Sequence, residues 1–163
     1  MLAVFVIGAV TGALLFYQRL GEWERWMLIM LVIFAGMGYL GFSLSNGYLS
    51  FVTEAWVRAF WFVGVLAFMV SAIMAYRPRH GFFGRYDFRM WASVIALFFL
   101  SGALVNVWIS AVFTYIFSVL VFAAGLLIGF LAQSYLYSYW PRFEWLPYVP
   151  LLVLIFVSAG KLL

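Results

Sequence analysis

The chain has no cysteine, one histidine and little charge: nine basic and five acidic side chains in 163 residues. Without cysteine there can be no disulfides, thiolate metal sites, iron–sulfur clusters or cysteine nucleophiles. A single histidine excludes the paired imidazole ligands of membrane cytochromes. The charged fraction of 9% compares with about 25% in ordinary soluble domains. Long polar tracts are missing too, so no residues are left for a soluble domain, an extended tail or a disordered linker.

Hydrophobic residues make up 69% of the chain and aromatic residues 23%. A soluble fold of this size must still cover itself with polar groups, and it could not hide so much apolar surface. A spanning helix needs about 20 apolar residues, so six would take roughly 120 and leave about 40 for connections. The expectation is an all-α fold: a polytopic transmembrane helix bundle of about six spans, forming one integral membrane domain over residues 1–163. Five spans plus a re-entrant C-terminal segment is the alternative.

The first apolar segment, Met1 to Tyr17, lacks the basic n-region and cleavage site of a signal peptide and is expected to be a retained span. A polar connection, 18–25, carries Arg19, Glu22, Glu24 and Arg25, and Trp26 to Ser45 forms the second span before the turn pair Asn46-Gly47. The third span is placed at Ala59 to Tyr76, and the loop 77–89, with Pro78, Gly81 and Gly84, stops the helix. No charge occurs between Arg89 and Arg142. As one helix that stretch would be about 75 Å long, so it must reverse, most naturally at Asn106 to Ser110. Spans near 90–107 and 111–133 result. Tyr135, Tyr137, Tyr139, Trp140, Trp145 and Tyr148 read as an interfacial aromatic belt, and Trp145 to Leu163 as the sixth span.

Six spans gather the connections 18–25, 77–89 and 134–146 on one side. These hold Arg19, Arg25, Arg77, Arg79, Arg85, Arg89 and Arg142, against only Arg58 and Lys161 elsewhere. The positive-inside rule puts the arginine-rich loops in the cytoplasm and both termini on the opposite side.

Gly36, Gly38 and Gly41 spell G-x-G-x-x-G, a dinucleotide fingerprint that works only between a strand and a helix. Inside an apolar span these glycines are expected to permit close helix packing instead. Gly8 with Gly12, and Gly125 with Gly129, form G-x-x-x-G pairs with the same meaning. Whether the neighbour is another helix of this chain or another subunit is open at this level. Glu54 and Arg58 lie four apart with the acid first, the favourable order on one helix face, and are read as an interfacial ion pair. An intramembrane proton or ion path is the sharper alternative. Arg77, Arg79, Arg85 and Arg89, interleaved with Phe82, Phe83, Tyr86 and Phe88, suit lipid headgroups or an acidic partner. His80 stands alone in that loop. Asn106 and Gln133 are expected at a turn and a helix end, with interhelical hydrogen bonding or capping as their role.

No acid pair lies within a span and no Ser-His or Ser-Lys arrangement occurs, so the chain is not read as an enzyme. No cofactor, metal or nucleic acid is expected. Expected partners are membrane lipids and other membrane subunits, identical or different. The functional expectation is a non-catalytic integral membrane subunit or anchor, packing through glycine faces and aromatic surfaces. A small homo-oligomeric channel or transporter using Glu54 and Arg58 is second, and a phage-type holin or pore-former third.

Overall fold

The structure, a computed structural model, describes residues 1–18, 23–46, 54–76, 81–83, 88–105, 107, 110–140, 143 and 145–162. The side chains of Asn46, Glu54, Lys161 and Leu162 lie outside the description. The described residues form an all-α bundle: α1 (Leu2–Leu15), α2 (Trp23–Asn46), α3 (Glu54–Ala75), α4 (Phe88–Ala103), α5 (Ala111–Tyr139) and α6 (Val149–Leu162). A single 3-10 turn, Leu146–Tyr148, leads into α6. Pro147 lies in that turn and Pro150 in the first turn of α6, where a missing N–H costs nothing.

Each expected span has its helix, but several ends differ. The second begins at Trp23, so Glu24 and Arg25 belong to its first turn and not to the connection. An acid there meets the positive end of the helix dipole, and Trp23 gains a stacked partner in Phe130, 5.2 Å away. The third starts at Glu54, five residues before the expected boundary. The fourth stops at Ala103, and Ser110 caps the fifth by accepting the Phe113 N–H at 3.2 Å. The fifth continues to Tyr139 because nothing after Gly129 breaks it, and Tyr135 donates to Tyr139 one turn on.

Lengths also differ. Stretches of α2, α3 and α5 are long and apolar enough to cross a membrane; α1, α4 and the final segment are shorter apolar helices. At 1.5 Å per residue α1 is about 21 Å long and α5 about 44 Å. The short α1 is enclosed: it packs mainly on α5, and also on α6, α2 and α4. A helix walled off by others need not match the thickness of the surroundings. Outward faces carry large apolar side chains, Trp56, Phe60 and Met74 on α3 and Val112, Leu120 and Leu131 on α5. Apolar exteriors on helices of this length point to association with a membrane.

The second half of the molecule repeats the first. α4 packs on α2 as α1 packs on α5, α3 packs on α4 as α6 packs on α1, and α3 meets α6. The register can be read from the glycines. A Cβ at Gly12 would lie 2.0 Å from the Leu126 carbonyl oxygen, and one at Gly102 would lie 2.1 Å from that of Gly38. Likewise a Cβ at Gly129 would collide with the Ala9 carbonyl oxygen and one at Gly41 with that of Phe99. Both pairs obey one rule: α4 lies 90 residues after α1, and α5 lies 88 after α2. Helices α2 and α5, from Trp23 and Ala111, begin on that same offset. Buried positions follow: Val4, Ile7, Thr11 and Leu15 match Val94, Leu97, Ser101 and Val105. In α3 and α6, Val65, Phe68 and Ala72 match Leu151, Leu154 and Ser158, 86 residues apart. Phe34 and Phe122 are counterparts, and they stack on each other with centroids 4.0 Å apart and planes 4° apart. They mark where a two-fold axis relating the halves would pass.

Candidate functional site

At the centre, Phe98 sets its edge against both Phe34 and Phe122. All three rings are fully buried. The polar groups nearby are spent locally. Ser101 donates to the Phe98 carbonyl, Ser118 to that of Tyr115, and the Tyr115 hydroxyl to that of Ala35. Such bonds satisfy the hydroxyls without opening a wet route. The middle of the bundle is lined by buried apolar side chains.

A polar node closes the end of the bundle that the arginine-rich connections enter and leave. Gln133, 2% exposed, sends its Nε2 to the Tyr17 hydroxyl at 2.5 Å and to the Leu146 carbonyl at 3.1 Å. Gln18 donates to the Phe83 carbonyl at 3.0 Å. One amide thus ties α5 to the end of α1 and the entry of α6, while the other holds the 81–83 segment. Gly81, with φ of 72°, fits beneath because a Cβ there would lie 2.7 Å from the Tyr17 carbonyl oxygen. Gln133 thus makes the interhelical hydrogen bonds expected of it, from a position inside α5 and not at its end.

Two aromatic residues of the basic-aromatic loop, read in the sequence as part of its outward surface, point inward. Phe82 and Phe83 are 0% and 2% exposed and belong to the core, against Tyr17, Tyr76 and Trp91. Burying two large rings outweighs displaying them, since each full burial contributes about 1.5–3 kcal/mol. Arg89 is exposed in the first turn of α4. Arg77, Arg79, His80 and Arg85 lie outside the described residues, as do Arg19, Arg142 and Asn106. Tyr148, expected in the belt, is half-buried and meets Tyr76 edge-on, while Tyr135, Tyr137, Tyr139, Trp140 and Trp145 are exposed.

Among the glycines, Gly8 and Gly12 face Gly125, Leu126 and Phe122 of this same chain, and Gly41 faces Phe99 and Ala103. Gly38 lies against Gly102 through its own Cα and carbonyl. These faces are taken up internally and are not free for another subunit. Gly36 is the exception: a Cβ there would meet nothing within 4 Å. Arg58 is exposed on α3, one turn after Glu54, whose side chain is outside the description, and Trp61 beside them is buried.

A groove of about 230 Å³ lies between α1, α5 and α6, lined by Ala9, Val10, Ala13, Ala132 and Val153 with Gln133 as its polar member. Composition and spacing alone do not reveal it. The repeat that frames it does leave a sequence trace: F-A-x5-G-F at 34–42 and 122–130, and [TS]-G-A-L at 11–14 and 101–104.

Comparison with protein-family models, curated proteins and solved structures finds no match to this chain.

Proposed function

We propose that the chain is a non-catalytic integral membrane subunit or anchor, crossing the membrane as a six-helix unit and associating through its aromatic outer faces. The observation that carries this is the division between interior and exterior. The described interior is apolar, its glycine faces are matched against one another, and Phe34, Phe98 and Phe122 meet at its centre. What remains available for partners is the apolar outer surface, which includes Val32 on α2, Trp56 and Phe60 on α3, Phe113 and Leu131 on α5 and Phe156 on α6. The arginine-bearing connections lie in the cytoplasm in this reading, with both termini opposite.

A second reading, a small transporter, draws on the repeated halves. Each half has three helices, an odd number, so in a membrane the halves run in opposite directions, as in transporters built from inverted repeats. Such proteins place polar groups where the repeats meet. Here that place holds three phenylalanines, and a dry path cannot replace an ion's hydration shell.

One experiment separates the two readings. Extraction in mild detergent followed by native mass measurement should give a complex of fixed stoichiometry heavier than the 18.7 kDa chain. The purified chain in proteoliposomes should carry no ion or proton flux. Flux that disappears in Glu54→Gln, from a preparation containing no other protein, would replace the subunit reading with the transporter.

A further inference from the structure

We infer that the outer surface of the bundle is fitted to a thin bilayer, with a hydrocarbon layer of about 26 Å, an inference that rests on the membrane placement proposed above. The edges of the apolar surface can be measured from contacts that fix how neighbouring helices are aligned. Helices α2 and α5 run antiparallel: Phe34 stacks on Phe122, Trp23 stacks on Phe130, and Tyr39 meets Tyr115 edge-on. From Phe34, exposed Arg25 lies nine residues to one side and exposed Ser43 nine to the other. At 1.5 Å per residue those polar edges stand about 27 Å apart. On α5, Leu131 is nine residues beyond Phe122 and so level with Arg25. Exposed aliphatic side chains on α5 run from Val112 to Leu131, a length of about 28 Å.

Helices α3 and α4 give a second measure. Phe82 meets Tyr76 after the end of α3 and Phe83 meets Trp91 near the start of α4, so this pair is antiparallel too. Gly64 sets the alignment: a Cβ there would lie 2.9 Å from Leu100 Cδ1 and 3.9 Å from Leu97 Cδ1. Exposed Arg58 is six residues before Gly64, and exposed Arg89 is eight before Leu97 and eleven before Leu100. The two arginines are therefore about 21–26 Å apart along the bundle. Between them α3 exposes Phe60, Val63, Val70 and Met74.

Both measures fall short of the roughly 30 Å core of an average bilayer, and any tilt of the helices shortens them further. Aromatic rings mark the same edges. Exposed Trp56 stands just outside Arg58, and exposed Tyr135 and Tyr139 stand beyond Leu131, the positions that interfacial aromatics favour. Length and charge together select the partner. In a thicker layer Arg25, Arg58 and Arg89 must stretch toward water, or the bilayer must thin around them. The surface that matches is a bilayer of short or kinked acyl chains, and not the sterol-rich kind of about 32–33 Å.

The test uses the full chain in phosphatidylcholine vesicles whose acyl chains lengthen from myristoleoyl through palmitoleoyl, oleoyl and eicosenoyl to erucoyl. X-ray scattering gives the hydrocarbon thickness of each bilayer, flotation shows whether protein and vesicles travel together, and circular dichroism gives the thermal midpoint. The midpoint should peak in the bilayer nearest to about 26 Å and fall by about 3–5 °C in erucoyl vesicles. A peak at about 30 Å or above, or equal midpoints throughout, would overturn the fit. A chain that floats with none of the vesicles would instead overturn the membrane placement. Met74→Arg brings a charge inward along the exposed face of α3. It should move the peak toward shorter acyl chains with flotation intact, and an unmoved peak would overturn the assignment of these residues as the edge.

Discussion

The same residue type plays opposite parts at different positions along α2. At Gly41 a methyl group would press to 2.0 Å from the Phe99 carbonyl oxygen, whereas at Gly36 it would project into open space. Overpacking against backbone cannot be relieved by a rotamer change, so it typically costs about 1–3 kcal/mol and sometimes more. Glycine in a helix also sacrifices about 0.8–1.0 kcal/mol relative to alanine. The two terms oppose each other, and the clash wins where the helices touch. Gly12→Ala, Gly41→Ala, Gly102→Ala and Gly129→Ala should each destabilise by about 2 kcal/mol or more. Gly36→Ala should be neutral or stabilising by up to about 1 kcal/mol. Thermal unfolding followed by circular dichroism in one detergent ranks them; a Gly41→Ala protein as stable as Gly36→Ala would remove the close contact of α2 with α4.

Among the elements, α3 carries a pair of opposite charges beside an apolar outer face. Its first turns hold Glu54 and Arg58, and the rest of its outer face is apolar, through Phe60, Val63 and Val70 to Met74. A charge in poorly hydrated surroundings is expensive alone and cheaper beside its opposite, and removing one partner strands the other. Glu54→Gln and Arg58→Gln, made singly, should therefore lower the yield of inserted protein more than the double change does. Quantifying membrane-fraction yield for the three variants decides the point; a double variant worse than both singles would mean that each charge has a separate task.

For the whole molecule, the repeat gives the proposed topology a stringent consequence. Halves of three helices each must face opposite ways, so corresponding ends of α2 and α5 lie on opposite sides of the membrane. A reporter in the 77–89 loop and another after Leu163 should fall on opposite sides, with the loop cytoplasmic. Finding both on one side would eliminate six crossings and with them the opposed halves.

The sequence by itself determined the all-helical class, the existence of six apolar segments and the approximate place of every reversal. Those follow from local physics: hydrophobic length, proline and glycine breaks, and the turn before Ser110. It also carried the repeat, in F-A-x5-G-F and [TS]-G-A-L, though such short apolar motifs stand out only once their contacts coincide. Tertiary structure decided what each segment faces. G-x-x-x-G declares that a helix can approach closely, but not which helix, because a bare backbone surface accepts any complementary ridge. Phe82 and Phe83 sit among arginines in sequence and in the core in space, since burial is settled by what packs above a residue and not by its chain neighbours. The groove belongs to the same class. Its lining comes from α1, α5 and α6, and residues brought together from three separate helices leave no signature along the chain.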